Sequence, residues 1–382
     1  MIVKHGQILN KTKPAAIILL SCFLFLLPFN GEARKKDKEK KRKAKYELEV
    51  EVGGNYDDNI LRYSEKYLDR FLNREDEGRF HIDTYDDFIL TTALGIEGTY
   101  YLFGKNKTRI NADFKRRTYM VNPIKDWTYF TAGIRQYLPS RISFKFLYSY
   151  IPDFYVRHFR DEVWVDVYGY ESNTFTPYVF SKDNFGFYIQ KYFYQSSRIK
   201  LKFYYAQYFH NQHYTEYDSD NLYYGIDVYQ PINDDLRIEA GFEFVTSDAK
   251  GYDAAYETPE TTDGPDATYV EDRFNIGLRW QPPRIKKHYH EVYFRGSFNK
   301  RYYTTDHPVD VDPLHAGRVD EMYGFSVNYR YKVSRSFDVE AFYEWNMRDT
   351  ETTSEYNSEF VSNEKDYKQN SVGMTVTYNI DF

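Results

Sequence analysis

The sequence predicts an all-β fold, a transmembrane antiparallel up-and-down β-barrel of about fourteen strands, within a range of about 12 to 16. Three observations predict it. The chain contains about fourteen segments in which apolar and polar residues alternate at period two, the pattern of a strand with one apolar and one polar face. The gaps between them are alternately short and long, as expected when tight turns lie on one side of a membrane and long loops on the other. Aromatic residues reach 20%, with 41 Tyr and 30 Phe, an excess that suits the aromatic girdles of a barrel.

The first element is an export segment. Lys4, Lys11 and Lys13 precede an apolar run from Ala15 to Phe29, too short for a good spanning helix. Asn30-Gly31-Glu32-Ala33 follows, with small residues where a signal peptidase reads, so residues 1–33 are expected to be a cleaved secretory signal. A rival reading is a lipoprotein signal, because Leu19-Leu20-Ser21-Cys22 loosely fits a lipobox. Cys22 is the only cysteine, so cleavage after Ala33 would leave no thiol for disulfides or metal binding. Residues 34–45 hold nine basic and two acidic residues and are expected to form a solvated periplasmic tail. In an exported protein this run does not argue for a nucleic-acid partner. Residues 46–382 form the barrel. The whole chain is formally -6; removing the signal and the basic tail leaves -15 on the barrel.

The expected strands begin at Tyr46 to Asn55. They continue at 88–102, 108–119, 127–138, 141–151, 183–193, 198–210, 220–230, 236–247, 270–281, 288–301, 319–331, 336–348 and 370–382. Their lengths suit the roughly 9–11 residues that cross a bilayer at a tilt of about 45°. Short turns fall at Gly104 to Lys107, Pro139-Ser140, Gln195 to Ser197, Asn233 to Asp235, Pro282 to Lys287 and Ser334-Arg335. Long polar loops fall near 56–87, 120–126, 152–182, 211–219, 248–269, 302–318 and 349–369. Val163 to Val167 and Thr174 to Phe180 have strand-like composition, so the 152–182 gap could hold a further hairpin. Mean hydropathy is -0.73 and no long apolar segment follows the signal, which excludes a helical membrane protein but not a barrel, whose strands average out as polar.

In the last strand Val372, Met374, Val376, Tyr378, Ile380 and Phe382 share one face. A chain that ends on such a strand is unusual for a soluble protein, whose ends usually fray. The tail resembles the closing strand of Gram-negative outer-membrane β-barrels of the porin-like kind. That resemblance implies an outer-membrane location and makes Val376, Tyr378, Ile380 and Phe382 an assembly signal. It also implies the barrel-assembly machinery, outer-membrane lipid and lipopolysaccharide as partners. Gly53-Gly-Asn-Tyr-Asp-Asp-Asn-Ile60 weakly resembles a stretch early in barrels associated with exopolysaccharide export. It covers under a tenth of the chain and carries no residue role.

Strand parity also gives the lumen. Charges on the lipid face would cost about 2–4 kcal/mol each for Arg or Lys at the midplane, so they are expected inside. The basic set Arg109, Lys115, Arg117, Arg135, Arg141, Lys145, Lys200 and Lys202 falls on strands three to seven. The acidic set Glu239, Glu243, Asp338, Glu340, Glu344, Glu47, Glu49 and Glu51 falls on strands nine to thirteen and strand one. In a closed barrel these sets would face each other, either as a transverse field acting on polar solutes or as a paired network filling the bore. About eight strands are filled by their own side chains and 16–18 leave an aqueous channel, so fourteen should leave a modest bore.

The expected function is a passive channel for small polar or saccharide-like solutes. The alternatives are a closed structural or adhesin-like barrel acting through its loops, and an enzyme at the outer rim. No hydrolase motif or phosphate loop is present, and no catalytic residue, cofactor or metal is expected. His210-x-x-His213 and His288-x-His290 have metal-compatible spacing without a supporting carboxylate cluster, and surface roles are the simpler reading.

Overall fold

The computed structural model describes residues 44–75, 78–160, 175–193, 196–253, 257–258, 261–262, 264–284, 288–353 and 355–382. The signal expected at 1–33, most of the 34–45 tail and the Val163 to Val167 segment lie outside them.

Fourteen antiparallel strands close into a barrel in which every strand pairs with its sequence neighbours and the last with the first. They are β1 Lys45–Asp57, β2 Asp87–Phe103, β3 Asn106–Tyr119, β4 Trp127–Tyr137, β5 Ile142–Arg160, β6 Phe175–Tyr192 and β7 Arg198–His210. The other half is β8 Ser219–Pro231, β9 Leu236–Ala249, β10 Tyr269–Trp280, β11 Tyr289–Tyr303, β12 Arg318–Lys332, β13 Phe337–Thr352 and β14 Tyr367–Asp381. Each expected strand is present. The closing seam pairs Glu47 with Asp381 and Val52 with Val376, and Tyr46 and Phe382 exchange two backbone hydrogen bonds of 3.0 Å.

Turn chemistry sets the short side. Gly104, with φ 64°, allows the two-residue link between Phe103 and Asn106 without a Cβ clash. The Asn233 side chain accepts from the backbone N–H of Asp235 (2.9 Å) and Leu236 (2.8 Å), shaping the β8–β9 turn.

The largest departure from expectation is at β5 and β6. The alternating pattern breaks at Pro152, and a long loop was expected there. The hairpin instead runs on to Arg160 and back from Phe175, with register shifts between Ile151 and Phe154 and between Tyr155 and Arg157. Proline cannot donate to the ladder, and the bulges absorb the break. Of the segment Thr174 to Phe180, with its strand-like composition, Phe175 to Phe180 form the start of β6, and Thr174 lies outside the described residues.

The two faces separate as parity requires. Leu94, Ile134, Phe146, Phe185, Phe203, Ile276, Phe325 and Met374 are exposed on the outer face. Tyr378, Ile380 and Phe382 continue that band to the end of the chain. An exposed apolar belt around a closed sheet is the surface a bilayer covers, and it defines a membrane-spanning barrel of the bacterial outer membrane.

Two helices, absent from the sequence reading, lie in the long loops: α1 Glu65–Leu72 after β1 and α2 Glu355–Lys365 after β13. The Ser64 hydroxyl caps α1 by accepting from Tyr67 N–H (3.3 Å).

Candidate functional site

The site is the bore and its loop-covered mouth. Cross-strand register carries one face continuously round the barrel: Glu51 to Ala93 to Lys115 to Tyr129, and Arg135 to Lys145 to Tyr188 to Lys202. Arg109, Lys115, Arg117, Arg135, Lys145, Lys200 and Lys202 all lie on this inner face. So do Glu239, Glu243, Asp338, Glu340, Glu344, Glu47, Glu49 and Glu51. Arg141 is a correction. It sits in the turn 139–141 with left-handed backbone (φ 59°), because Pro139 and Ser140 turn the chain before β5 begins at Ile142. There it is exposed and donates to the Phe193 carbonyl (3.4 Å).

The two opposed walls are a second correction. Neighbouring strands place side chains on one face about 5 Å apart, whereas the opposite wall is a bore away, so charges pair along the wall. From β7 to β11 a chain of contacts runs round the barrel. Lys200 and Lys202 reach Asp227 at 3.2 and 2.8 Å, and Lys202 also reaches Glu243 at 3.5 Å. Arg273 links Glu243 (3.2 Å) to Glu271 (2.7 Å), and Arg301 completes the series on Glu271 (2.8 Å). Gly225 lets Lys202 cross β8: a Cβ there would stand 2.7 Å from Lys202 Cε. Elsewhere Lys115 pairs with Glu51 (3.3 Å), Arg109 with Glu97 (3.0 Å), Arg279 with Glu239 (3.6 Å) and Arg330 with Glu340 (2.7 Å). The half read as acidic is therefore interleaved with arginines.

A residual asymmetry survives the pairing. Among the described residues, Arg117, Arg135, Lys145 and Lys182 on β3 to β6 have no carboxylate at ion-pair distance. Neither do Glu47, Glu49, Asp338 and Glu344 on β1 and β13 have a cation. Glu47, Glu49, Asp113, Arg295 and Glu344 are exposed although they point inward, so this part of the bore is open to solvent.

The mouth is different. The loop 58–86 turns inward and packs Ile60, Leu61, Tyr63 and Tyr67 against the inner-face residues Ile89, Tyr119 and Trp127 and against Tyr155. One side is tied to β14 and α2: Asn59 Nδ2 donates to the Lys368 carbonyl (2.9 Å) and Ser64 Oγ to that of Asn363 (2.6 Å). The other is tied to β5, where Arg157 donates to the Leu61 carbonyl (2.8 Å) and lies 4.8 Å from the Tyr63 ring. Burial and the Glu364 carboxylate push the Tyr67 phenol up to about 12. Lys125, in the turn before β4, donates to the Tyr155 carbonyl (2.9 Å). Burial, with Arg157 and Arg62 nearby, pulls its ammonium down to about 7.

On the other side of Arg157 from this loop is a cavity of about 700 Å³, lined by residues at the ends of β5 to β13 and by the loops after them. A smaller one of about 280 Å³ lies between Trp127, Tyr129, Ser149, Ile151, Lys182 and Asn184. Tyrosine is used here as much as in the girdles: Tyr178, Tyr208, Tyr269 and Tyr303 all line the larger cavity. The sequence signal for them was tyrosine on the same parity as lysine in β7; Arg157, beyond the bulges of β5, and Lys365, at the end of α2, gave none. Among the described residues no group of three His, Cys, Asp or Glu side chains comes together to hold a metal. His210 instead sits 3.3 Å from Asp218 and 2.9 Å from the Tyr178 hydroxyl.

These features define the class: a fourteen-stranded outer-membrane barrel with a polar bore and an inward-folded loop at its mouth. No protein-family model and no curated protein matches the chain. Among solved structures it is similar to a bacterial polysaccharide outer membrane secretin (9% identity, 87% of this chain and 98% of that chain, TM-score 0.46). It is also similar to an anion-selective porin from Comamonas acidovorans (8% identity, 88% and 99%, TM-score 0.43). A third is the outer membrane channel DcaP of Acinetobacter baumannii (13% identity, 88% and 97%, TM-score 0.44). At these identities and scores the likeness is one of general barrel shape and transfers no solute and no mechanism.

Proposed function

We propose that the protein is a passive outer-membrane channel for small polar or saccharide-like solutes, constricted at its mouth by the loop 58–86. The observation that carries this reading is the set of inward-pointing charged residues that remain exposed below the loop, Glu47, Glu49, Asp113, Arg295 and Glu344. A bore filled by a structural salt-bridge network would leave such groups covered and paired. The reading assigns the protein no catalytic step. A second reading, a closed barrel that acts through its surface loops, is favoured by the ties that hold α1 to α2 across the mouth, among them Tyr67 to Glu364 and Lys66 to Glu364.

Single-channel recording of the refolded protein in a planar bilayer tests the proposal. Stepwise conductance is expected, and Lys145→Glu should move the reversal potential in a roughly tenfold KCl gradient toward cation selectivity, with Glu344→Lys moving it the other way. These residues are better probes than Lys200 or Glu340, whose reversal would also break the contacts to Asp227 and Arg330. Silence from protein shown to be folded by heat-modifiable gel migration would favour the closed barrel.

We further propose that the outward face Val376, Tyr378, Ile380 and Phe382 addresses the chain to the barrel-assembly machinery. Phe382→Ala removes a ring stacked on Tyr46 at 6.4 Å and leaves the backbone bonds of the closing seam in place. Refolding in detergent should change little, whereas the amount of barrel in the outer membrane of an expressing cell should fall several-fold. An unchanged amount in cells would remove this role.

A further inference from the structure

The 700 Å³ cavity at the mouth carries both cations and carboxylates on its wall. Arg157 and Arg160 from β5, Arg301 from β11, Arg318 from β12, Arg348 from β13 and Lys365 from α2 all reach its wall, and Arg301 is taken up by Glu271 (2.8 Å). The shared counter-charge is Asp320, which is fully buried; Arg318 grips it with two bonds of 2.6 and 2.7 Å, and Arg348 stands 4.0 Å away. The carboxylate nearest in sequence to Lys365 is Glu364, which is taken up by Lys66 and Tyr67. Asp312, also on the wall, is held by His315 (2.9 Å), whose imidazole burial keeps neutral, and by the Asp266 backbone N–H (2.9 Å). The other wall carboxylates, Glu216, Asp253 and Glu257, come from the loops after β7 and β9. Among the described residues, Arg157, Arg318, Arg348 and Lys365 thus converge with Asp320 as the one carboxylate at ion-pair distance from any of them. Burial first, and then Arg318, Arg157 and Arg348, pull the Lys365 ammonium down to about 7.

Aromatic rings stand beside these cations. The Phe159 ring lies 5.6 Å from the Arg157 guanidinium and 5.9 Å from Lys365 Nζ, and the Tyr303 ring lies 4.5 Å from Arg318. Flat apolar ring faces beside guanidinium forks suit a ligand that has both an apolar face and an anionic group. The volume falls within the roughly 300–1,000 Å³ of small-molecule sites.

The geometry points to a binding site for an anionic saccharide at the extracellular mouth, with Lys365 meeting its carboxylate, Arg348 holding Lys365 in place through its backbone carbonyl (Nε, 2.7 Å), and Phe159 and Tyr303 facing its ring. This deepens the channel proposal and rests on it only for the route the bound sugar then takes. The site itself is tested without conduction, by calorimetric titration of the detergent-refolded protein with trigalacturonate, maltotriose and sodium sulfate. Trigalacturonate is expected to bind at least about tenfold more tightly than either comparator. Its affinity, and not that of maltotriose, should fall as NaCl is raised. Lys365→Gln should weaken it roughly tenfold and Lys365→Arg should restore it. Maltotriose binding as tightly overturns the anionic requirement, and sulfate binding as tightly overturns the saccharide. Unchanged affinity in Lys365→Gln overturns the placement. Binding in a barrel that does not conduct would remove the channel and keep the site; conduction without binding would do the reverse.

Discussion

Replacing residues 62–82 by a short Gly-Ser link should raise single-channel conductance roughly threefold or more, because it removes the element that lies across the bore. The join is geometrically feasible. Ile60 N–H bonds the Tyr85 carbonyl at 2.9 Å, so the two stems already stand side by side. The deletion takes away Tyr63, Tyr67, Leu68, Phe71, Phe80 and Ile82, six of the thirteen residues in the apolar cluster that includes Trp127 and Tyr155. The strands keep their own ladders, so the barrel should still show heat-modifiable migration. Arg157→Ala is the milder form: it unties the loop from β5 and should give noisier openings rather than a larger steady current. A folded deletion variant with unchanged conductance would place the narrowest point elsewhere and defeat the gating role of the loop.

Glu271→Gln should cost about 3–5 kcal/mol of unfolding free energy, the usual consequence of removing one partner from a buried ionic cluster. Glu271 is 1% exposed and is shared by Arg273 at 2.7 Å and Arg301 at 2.8 Å, while Arg301 is sandwiched against Tyr269 with 4.0 Å between guanidinium and ring. Neutralising the buried carboxylate leaves two partly buried guanidiniums facing each other, with only Arg273 still paired, to Glu243. Glu340→Gln breaks a pair whose arginine is half exposed and should cost less than about 1 kcal/mol. Urea unfolding of the refolded variants compares them directly. Equal losses would mean that the β7 to β11 series is no more buried, energetically, than the exposed pair on β12 and β13.

Most of the barrel was legible because a strand's two faces meet different solvents. Lipid admits only residues such as Phe203 and Ile276, and the bore tolerates Lys202 and Glu243, so period two appears directly in the sequence. The closing strand was legible for the same reason. What the pattern could not give was the partner of each charge. Which carboxylate Lys202 meets depends on register and on a glycine in the strand between, and neither is visible in one strand's alternation. Counting inward charges strand by strand picked out Glu239 and Glu243 and passed over Arg273, Arg279 and Arg301, so the interleaving was lost. The mouth was least legible. Tyr63, Tyr67 and Arg157 lie in segments without periodicity, and they come together only because the loop folds back. Pro152 hid the far end of β5 by interrupting alternation at a bulge that the paired strand tolerates.

The single seam between β1 and β14 has a consequence for chain connectivity. Every other seam joins strands adjacent in sequence and can form as a hairpin, whereas this one waits for both ends of the barrel. Yet Tyr46 and Phe382 lie within one hydrogen bond of each other. A circular permutant that links Phe382 to Lys45 through a few residues and opens the chain at Asn233 to Asp235 would turn the slowest seam into a hairpin and make β8 and β9 the ones that must find each other. The order of strand addition is then a property of where the backbone is cut, not of the barrel, and the same fourteen strands support more than one route to closure.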